Sequence, residues 1–464
     1  MTLVSGAPNA ITNTYIDNAL KQVYLDSQEA ALFFIERPAF GMIPKDERMG
    51  GRNVPEVIHF ARTGGRSAIF SYAQTISAWR NKRIRDFLMT PVEDWSIIRV
   101  PGKTMAMTRN NTMAWEDLVA SFAQKGLDDA EENLAEAIEQ ALYRDSTGVV
   151  ASIAAMSSTK AALLAAPTTV TEQTTNTYTL LTESDAALLF ENGEFVQIVA
   201  SASSRIAQPN TQVYVVDAVD TFNNTLLLRN AYATEGLGAS GAASGSSGGN
   251  TTVTAGMFIV KYGDDYYTST AYMKISGFAS WCPSTTPVTS TDSFFGMDRS
   301  ESTRLYGKYM DYSTMSRQQA LVRAATVLAK EGGQPTTGLM AFTSYRGLLE
   351  ELDLRKEVVD MNPVDSRGLV NNISYKGVVI QGPRGPIQIT ACAYQLPDEC
   401  LLIRPEDWKL LTVGPAMSLE DRDGLSILRL PDSDAYEGRM VFRGNLECLR
   451  PGRQGRVLLQ STTA

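Results

Sequence analysis

Residues 50 to about 107 carry the feature that most constrains how this chain can fold. β-Branched and aromatic residues there are interleaved with Arg, Lys, Glu and Asp and do not gather on one face, as in NVPEVIHFARTGGRSAIFSYAQTISAWRNKRIRDFLMTPVEDWSIIRVPGKTMAM. The pattern predicts a long two-stranded arm with too little apolar surface to fold against its own domain. Because an isolated hairpin is marginally stable in water, we expect the arm to lie on another copy of the chain.

The composition restricts the class of protein. A chain of 464 residues with 44% hydrophobic residues is long enough for about two to four domains. Its net charge of -9 argues against a protein that wraps nucleic acid with a basic face. No basic and apolar signal segment opens the chain, and no apolar run reaches about 18 residues, so we expect a protein made in the cytoplasm without a membrane anchor.

Catalytic patterns are scarce. The single histidine, His59, lies in the strand-like VIHFAR, which argues against catalytic triads and histidine metal sites. Asp264 and Asp265 are adjacent and would face opposite ways on a strand, which argues against a metal site. The cysteines are widely spaced and predict buried free thiols: Cys282, Cys392, Cys400 and Cys448. We therefore expect no enzyme activity, no cofactor and no metal.

The rest of the chain alternates between helical and β-rich segments. A helix is predicted from about Thr112 to Arg144. Between about 166 and 275, a composition rich in Thr, Ser, Val and Gly predicts a small inserted β-barrel or sandwich, with a tight turn at Asn223-Asn224 and short strands in FVQIVAS, TQVYVVDAV, TLLLRNAY and MFIVKYG. Within that insertion, Gly236 to Asn250 is a Gly/Ser-rich loop that lacks the ending of a phosphate-binding loop. Ser316 and Gln319 have capping-box spacing before a helix that Gly332 would end. The predicted class is α+β.

Two charged clusters are the candidate site. The basic cluster lies in the arm and is either a phosphate patch or a contact between subunits: Arg80, Lys82, Arg83 and Arg85. The acidic cluster lies on the long helix and is either a solvated face or a docking surface: Asp128, Asp129, Glu131 and Glu132. Their opposite charges would attract each other if the fold brings the two clusters together.

The order of several motifs resembles the major capsid proteins of tailed bacteriophages, the Hong Kong phage type. The motifs follow one another over nearly the whole chain from about residue 50: GGRSAIFSYAQT, ALYRDSTG, GFASWCPST, TDSFFGMDRS, LVRAATVLAKEGGQPTTGLMAFTSYRGLLEEL, GVVIQGPRGPIQI, DRDGLSILR and RGNLECLRPGRQGRVLL. The resemblance implies a capsid fold with an N-terminal arm, an extended E-loop, a P-domain with a spine helix, and an A-domain. In that fold the E-loop of one subunit lies across the P-domain of its neighbour, so we predict that the basic and acidic clusters meet between neighbouring chains. The β-rich insertion is a departure from many members of the family.

The resemblance also implies a division of the chain into seven segments. These are an N-terminal arm (1–50), the E-loop hairpin (51–107), the P-domain spine helix (108–165), the inserted β-rich domain (166–275), the P-domain continuation (276–338), the A-domain (339–445) and a return strand to the P-domain (446–464). Some family members join subunits through Lys to Asn bonds, but Lys82 and Lys103 align with no crosslinking motif.

The implied function is a self-assembling icosahedral shell around the double-stranded DNA of a tailed phage. The implied partners are other copies of the chain in hexamers and pentamers, a scaffolding protein, a portal and a decoration or cement protein, with no membrane and no sequence-specific DNA binding. The implied location is the virion capsid, after synthesis in the bacterial cytoplasm. Two other interpretations stay open: an encapsulin-like shell around a protein cargo, and a β-rich carbohydrate-active enzyme or adhesin.

Overall fold

The computed structural model describes most of the chain in thirteen ranges. They are residues 37–60, 66–79, 84–101, 129–157, 177–182, 186–199, 213–230, 256–264, 274–287, 293–353, 378–420, 427–430 and 434–461. Residues 1–36 of the predicted N-terminal arm, the loop Gly236 to Asn250, Lys103 and Asp265 lie outside these ranges.

Helices and strands alternate irregularly along the described residues. The α-helices there are α1 (Pro38–Met42), α2 (Phe70–Trp79), α3 (129–143), α4 (Phe278–Trp281), α5 (Arg317–Lys330) and α6 (Phe342–Asp353). The first eleven strands are β1 (Lys45–Asp46), β2 (Val54–His59), β3 (Ile84–Met89), β4 (Val92–Pro101), β5 (Val149–Ser157), β6 (Thr177–Leu181), β7 (Phe195–Val199), β8 (Val213–Asp220), β9 (Thr225–Asn230), β10 (Phe258–Lys261) and β11 (Ser293–Phe294). The next eleven are β12 (Met297–Asp298), β13 (Lys308–Asp311), β14 (Thr337–Ala341), β15 (Val378–Gly382), β16 (Gly385–Cys392), β17 (Glu399–Ile403), β18 (Trp408–Thr412), β19 (Ser418–Leu419), β20 (Ile427–Arg429), β21 (Ala435–Cys448) and β22 (Gly455–Leu458).

The first six-stranded sheet has the order β13-β22-β17-β14-β16-β15 and mixes parallel with antiparallel pairs. Helix α5 packs on it through a buried stripe of Leu321, Ala324 and Leu328, which the 3.6-residue period places on one face. The strands come from segments that are distant in sequence, residues 308–311, 337–403 and 455–458 among them. The sheet therefore combines strands from three of the predicted segments: the P-domain continuation, the A-domain and the return strand.

The prediction for α5 is correct at the C-terminal end of the helix and wrong at its N-terminal end. Gly332 has φ +84°, and the backbone N–H of Gly333 donates to the carbonyl of Leu328 at 2.8 Å, so the predicted C-terminal glycine is confirmed. At the other end, Ser316 makes no capping hydrogen bond. The carboxylate of Glu351 from α6 accepts from the backbone N–H of Arg317 at 3.2 Å instead. The predicted Ser316 capping box is therefore wrong, because a residue of the next helix supplies the cap.

The second six-stranded sheet is built around the long strand β21. Strand β21 pairs with β18, β19, β20 and β4, and β1 joins the far edge of β18. Strand β4 pairs with β21 from Val92 to Pro101, opposite Gly444 to Ala435. Residues 92–101 were expected to lie in an arm without its own domain, and that expectation is wrong for them.

The hairpin of β2 and β3 is also anchored at its base. Val54 pairs with Met89 and His59 with Ile84 in one antiparallel register. Phe87 and Met89 are fully buried, and the ring centroid of Phe87 lies 5.2 Å from that of Trp281 in the core. The arm was expected to make little apolar contact with its own domain. Only the outer part of the arm, where helix α2 lies between the two strands, agrees with that expectation. The alternating sequence of that segment gave no sign of α2.

Shortening the Phe87 side chain tests how strongly the base of the hairpin is anchored in the core. We expect Phe87→Ala to lower the free energy of unfolding by about 3 to 5 kcal/mol, since it opens a cavity among buried rings. Val57→Ala is the matched control, because Val57 lies on the facing strand and is 61% exposed. Urea denaturation of both variants checks the prediction, and equal midpoints would contradict it.

Six strands close into a barrel in the order β10-β5-β6-β9-β8-β7. The strands predicted in FVQIVAS, TQVYVVDAV, TLLLRNAY and MFIVKYG are confirmed as β7, β8, β9 and β10. Asn224, at φ 52°, stands in the turn that joins β8 to β9, where the sequence predicts a tight turn. Strand β5 pairs with both β6 and β10, so the barrel begins at Val149 and not near residue 166.

Candidate functional site

The hairpin and the strand after it carry a set of exposed large apolar side chains, which we call the arm surface. Phe70 is 77% exposed and Tyr72 is 61% exposed, both on α2. The set comprises Val57, Ile69, Phe70, Tyr72, Ile84, Leu88, Trp95 and Ile97. A large part of each of these side chains stays exposed in the described part of the chain, although the Arg443 guanidinium lies 5.1 Å from the ring centroid of Trp95. A concentration of exposed apolar groups on a hairpin and the strand that follows it is typical of a protein interaction site.

Local hydrogen bonds hold the outer part of the arm in a defined conformation. The Ser67 hydroxyl accepts from the backbone N–H of Ile69 at 3.1 Å, immediately before α2. The N–H of Ala73 donates to the carbonyl of Ile69 at 3.1 Å and begins the helical pattern. The arm surface is thus presented by a helix rather than by an irregular tip.

The basic cluster of the candidate site is only partly described. Arg80, Lys82 and Arg83 lie outside the described residues. Arg85 lies on β3, is exposed, and donates from Nη2 to Glu301 Oε1 at 2.7 Å within the same chain. Arg85 therefore already has a carboxylate partner in its own subunit.

The acidic cluster divides into exposed and inward-facing residues. Asp128 lies outside the described residues, and Asp129 and Glu131 are exposed at the start of the described part of α3. Glu132 is half-buried, and its backbone carbonyl accepts from Arg37 Nη2 at 3.2 Å. Among the described residues, none of these acids pairs with Arg85. The predicted meeting of the two clusters between chains stays a prediction.

Further along α3, two acids have structural roles that the sequence analysis missed. The Glu139 carboxylate accepts from the backbone N–H groups of Ala39 at 3.0 Å and Phe40 at 2.6 Å, at the start of α1. Burial raises the pKa of Glu139, although these N–H groups oppose the shift. Glu136 accepts from the Tyr394 hydroxyl at 2.6 Å. Acidic spacing alone could not distinguish these side chains from a solvated face.

A buried lysine joins the barrel to the second sheet. Lys274 Nζ lies 2.6 Å from Asp94 Oδ2 on β4 and 2.8 Å from Asp264 Oδ1, just after β10. Burial acts to lower the pKa of Lys274, but the two carboxylates raise it above its usual value. Asp264 thus binds an ammonium group of its own chain. A charged group this buried needs such partners.

The remaining residues considered for catalysis or metal binding are the cysteines and His59. The four cysteines are buried and free, as predicted, and burial raises the pKa of Cys282 to about 12. His59 is exposed on β2. Among the described residues, no group of three or more His, Cys, Asp and Glu side chains could hold a metal ion. No helix in the described ranges has the length and apolar character needed to span a membrane.

The charge assignment of Arg85 leads to a test by charge reversal. We expect Arg85→Glu to weaken attachment of the hairpin base, since it places a carboxylate beside Glu301; an exposed pair contributes about 0 to 1 kcal/mol. Adding Glu301→Arg should restore the thermal midpoint and any assembly of the protein at low salt. Adding Glu131→Lys and Glu132→Lys instead tests the contact between chains. Rescue by the second combination and not the first would contradict the intrachain assignment.

Comparison with known proteins relates the fold to one class. No protein-family profile matches the sequence, and no curated protein matches it. Among solved structures, the cyanophage A-1(L) capsid asymmetric unit aligns with a TM-score of 0.50 at 10% identity, over 95% of this chain and 96% of that chain. The capsid of a native GTA particle has a TM-score of 0.40 at 6% identity, covering 94% and 96% of the two chains. The capsid of Myoviridae phage XM1 has a TM-score of 0.36 at 7% identity, covering 97% and 99%. The alignment with the cyanophage capsid confirms the expected resemblance to phage capsid proteins at the level of fold.

Proposed function

We propose that this protein is the major capsid protein of a tailed bacteriophage and that its copies self-assemble into the icosahedral shell around a double-stranded DNA genome. The observation that carries the proposal is the arm surface. Its apolar side chains, Phe70 and Tyr72 above all, stay largely exposed in the described part of the chain, and a fold shared with a cyanophage capsid protein favours a second copy of the same chain as the partner.

Different parts of the fold would form different domains of the capsid subunit. In this proposal residues 51–89 form the extended part of the E-loop, and α3 is part of the P-domain spine. The sheet containing β14 to β17 is the A-domain. The barrel of β5 to β10 is an inserted domain between them. Scaffolding, portal and decoration proteins are the partners expected for such a shell.

The overall charge suits a container from which DNA must be released. An inner wall rich in Lys and Arg would hold phosphates tightly, since each contact releases counterions. With a net charge of -9, this chain has no excess of basic residues for such a wall. Confinement of the genome would then depend on the strength of contacts between subunits.

Electron microscopy of the full chain, expressed alone and together with candidate scaffolding proteins, tests the proposal. We expect closed shells, and in virions we expect nuclease-protected DNA inside shells built of this chain. Shells that purify with an enzyme and no nucleic acid would identify an encapsulin-like container instead. A protein that stays monomeric under every condition would contradict both.

A further inference from the structure

A charged cluster joins the base of the hairpin to the second sheet. Arg48 follows β1, and its Nη2 donates to Glu56 Oε2 on β2 at 3.1 Å and to Glu447 Oε2 on β21 at 2.7 Å. One guanidinium nitrogen thus bridges the hairpin and the sheet. The contact lies at the end of the hairpin opposite α2.

Glu447 is the unusual member of this cluster. Its side chain is 1% exposed, and its Oε1 atom has no hydrogen-bond partner among the described residues. A buried carboxylate oxygen without a partner is costly unless a proton occupies it. Burial first, and then the neighbouring Glu56 carboxylate, raise the pKa of Glu447 to about 7. Two adjacent carboxylates that share one proton behave in this way.

The other charged groups around the pair do not remove its excess charge. Arg48 Nε also binds Asp46 at 3.2 Å. Lys409 stands opposite Glu447 in the pairing of β18 with β21, but its Nζ lies 3.3 Å from Asp46. Within the described residues the cluster therefore places three carboxylates against two cations. One proton would balance the charges.

We propose that Arg48, Glu56 and Glu447 form a proton-controlled latch that fixes the base of the hairpin to the sheet. When a proton from solvent lies on the carboxylate pair, its O–H supplies the hydrogen bond that Glu447 Oε1 lacks, and the hairpin base is held. When the proton leaves, two carboxylates repel each other beside one guanidinium, and the base of β2 separates more readily from β21. The position of the arm relative to its domain then depends on pH.

The direction of the pH dependence follows from the closed state binding the proton more tightly than the open state. The latch is fully stabilised below the ordinary carboxyl pKa of about 4.5, and this stabilisation is lost as the pH rises through about 7. Opening of the hairpin base should therefore become more frequent across that interval and stop changing above it.

Amide hydrogen exchange of the full chain in one assembly state tests the latch. After correction for intrinsic exchange rates, we expect the opening constant for amides of residues 54–59 and 84–89 to rise about tenfold between pH 5.5 and pH 7.5. Glu447→Gln should remove this dependence, because the amide can donate to Glu56 at any pH. Glu56→Gln should reduce it, because the neighbouring charge is gone.

A matched variant and two outcomes decide the matter. Glu93→Gln alters an exposed acid that binds Arg443 on the same sheet, and it should keep the full pH dependence. If the unaltered protein shows the same opening constant at both pH values, the latch does not exist. If Glu447→Gln does not fold, Glu56→Gln decides alone, and an unreduced pH dependence in that variant overturns the proposal. The readout concerns one subunit, so it stands whether or not the capsid proposal holds.

Discussion

Replacing residues 61–83 with a short glycine-containing loop is expected to leave a folded, soluble subunit that no longer forms shells. Residues 66–76, whose side chains the structure describes, contribute no buried side chain to the core, whereas Phe60, Phe87 and Met89 remain. The ends to be joined are close, because His59 and Ile84 are paired. Circular dichroism, thermal unfolding and electron microscopy together measure the result.

A point variant gives the same test without a deletion. We expect Phe70→Ser combined with Tyr72→Ser to abolish assembly and to leave the thermal midpoint almost unchanged, since both side chains are exposed. Phe222→Ser is the matched control, because Phe222 is 93% exposed on the β8–β9 turn of the barrel, away from the arm. Loss of assembly in the control alone would move the proposed interface to the barrel.

Gly277→Ala is expected to prevent folding of the described core or to destabilise it by several kcal/mol. A Cβ atom at this position would lie 2.3 Å from the carbonyl oxygen of Leu142, 2.4 Å from that of Ala141 and 2.5 Å from that of Arg144. These are backbone atoms at the end of α3, so no side chain can move aside, and overpacking alone costs about 1 to 3 kcal/mol.

Soluble yield and the urea midpoint measure this effect. Gly41→Ala is the control, because a Cβ atom there would meet nothing within 4 Å. We expect the control to unfold at nearly the same urea concentration as the unaltered protein. A Gly277→Ala protein with an unchanged midpoint would show that the end of α3 can shift to accept a methyl group.

Local sequence patterns correctly predicted those elements whose conformation depends on residues close in sequence. Strands β7 to β10 follow from short β-branched runs between turn residues, and the end of α5 follows from Gly332. The cap of α5 could not be predicted in this way, since Glu351 reaches it from another helix. The cause of that miss was a contact with a residue distant in sequence, whereas α2 was missed although its hydrogen bonds are local.

The candidate site shows the same division. The exposed apolar residues of the arm follow from a pattern that does not gather on one face, and the sequence showed where they lie. The pairing of Arg85 with Glu301 joins residues 216 positions apart, and Glu139 caps a helix 99 positions away. Charge and spacing identify which residues are acidic or basic, but only the fold decides whether a carboxylate meets solvent, an arginine or a backbone N–H.

The long pairing of β4 with β21 determines how a mechanical load on the hairpin would be carried. Only Thr90 and Pro91 separate β3 from β4, and Asn445 Nδ2 holds the Thr90 carbonyl at 2.9 Å. A pull that acts along the axis of β4 would be parallel to the strands and perpendicular to the ladder of hydrogen bonds. In this shear geometry the bonds from Val92 to Pro101 resist together and do not open one after another. An arm attached in this way would be held to its own sheet along the whole of β4 and not at a single contact.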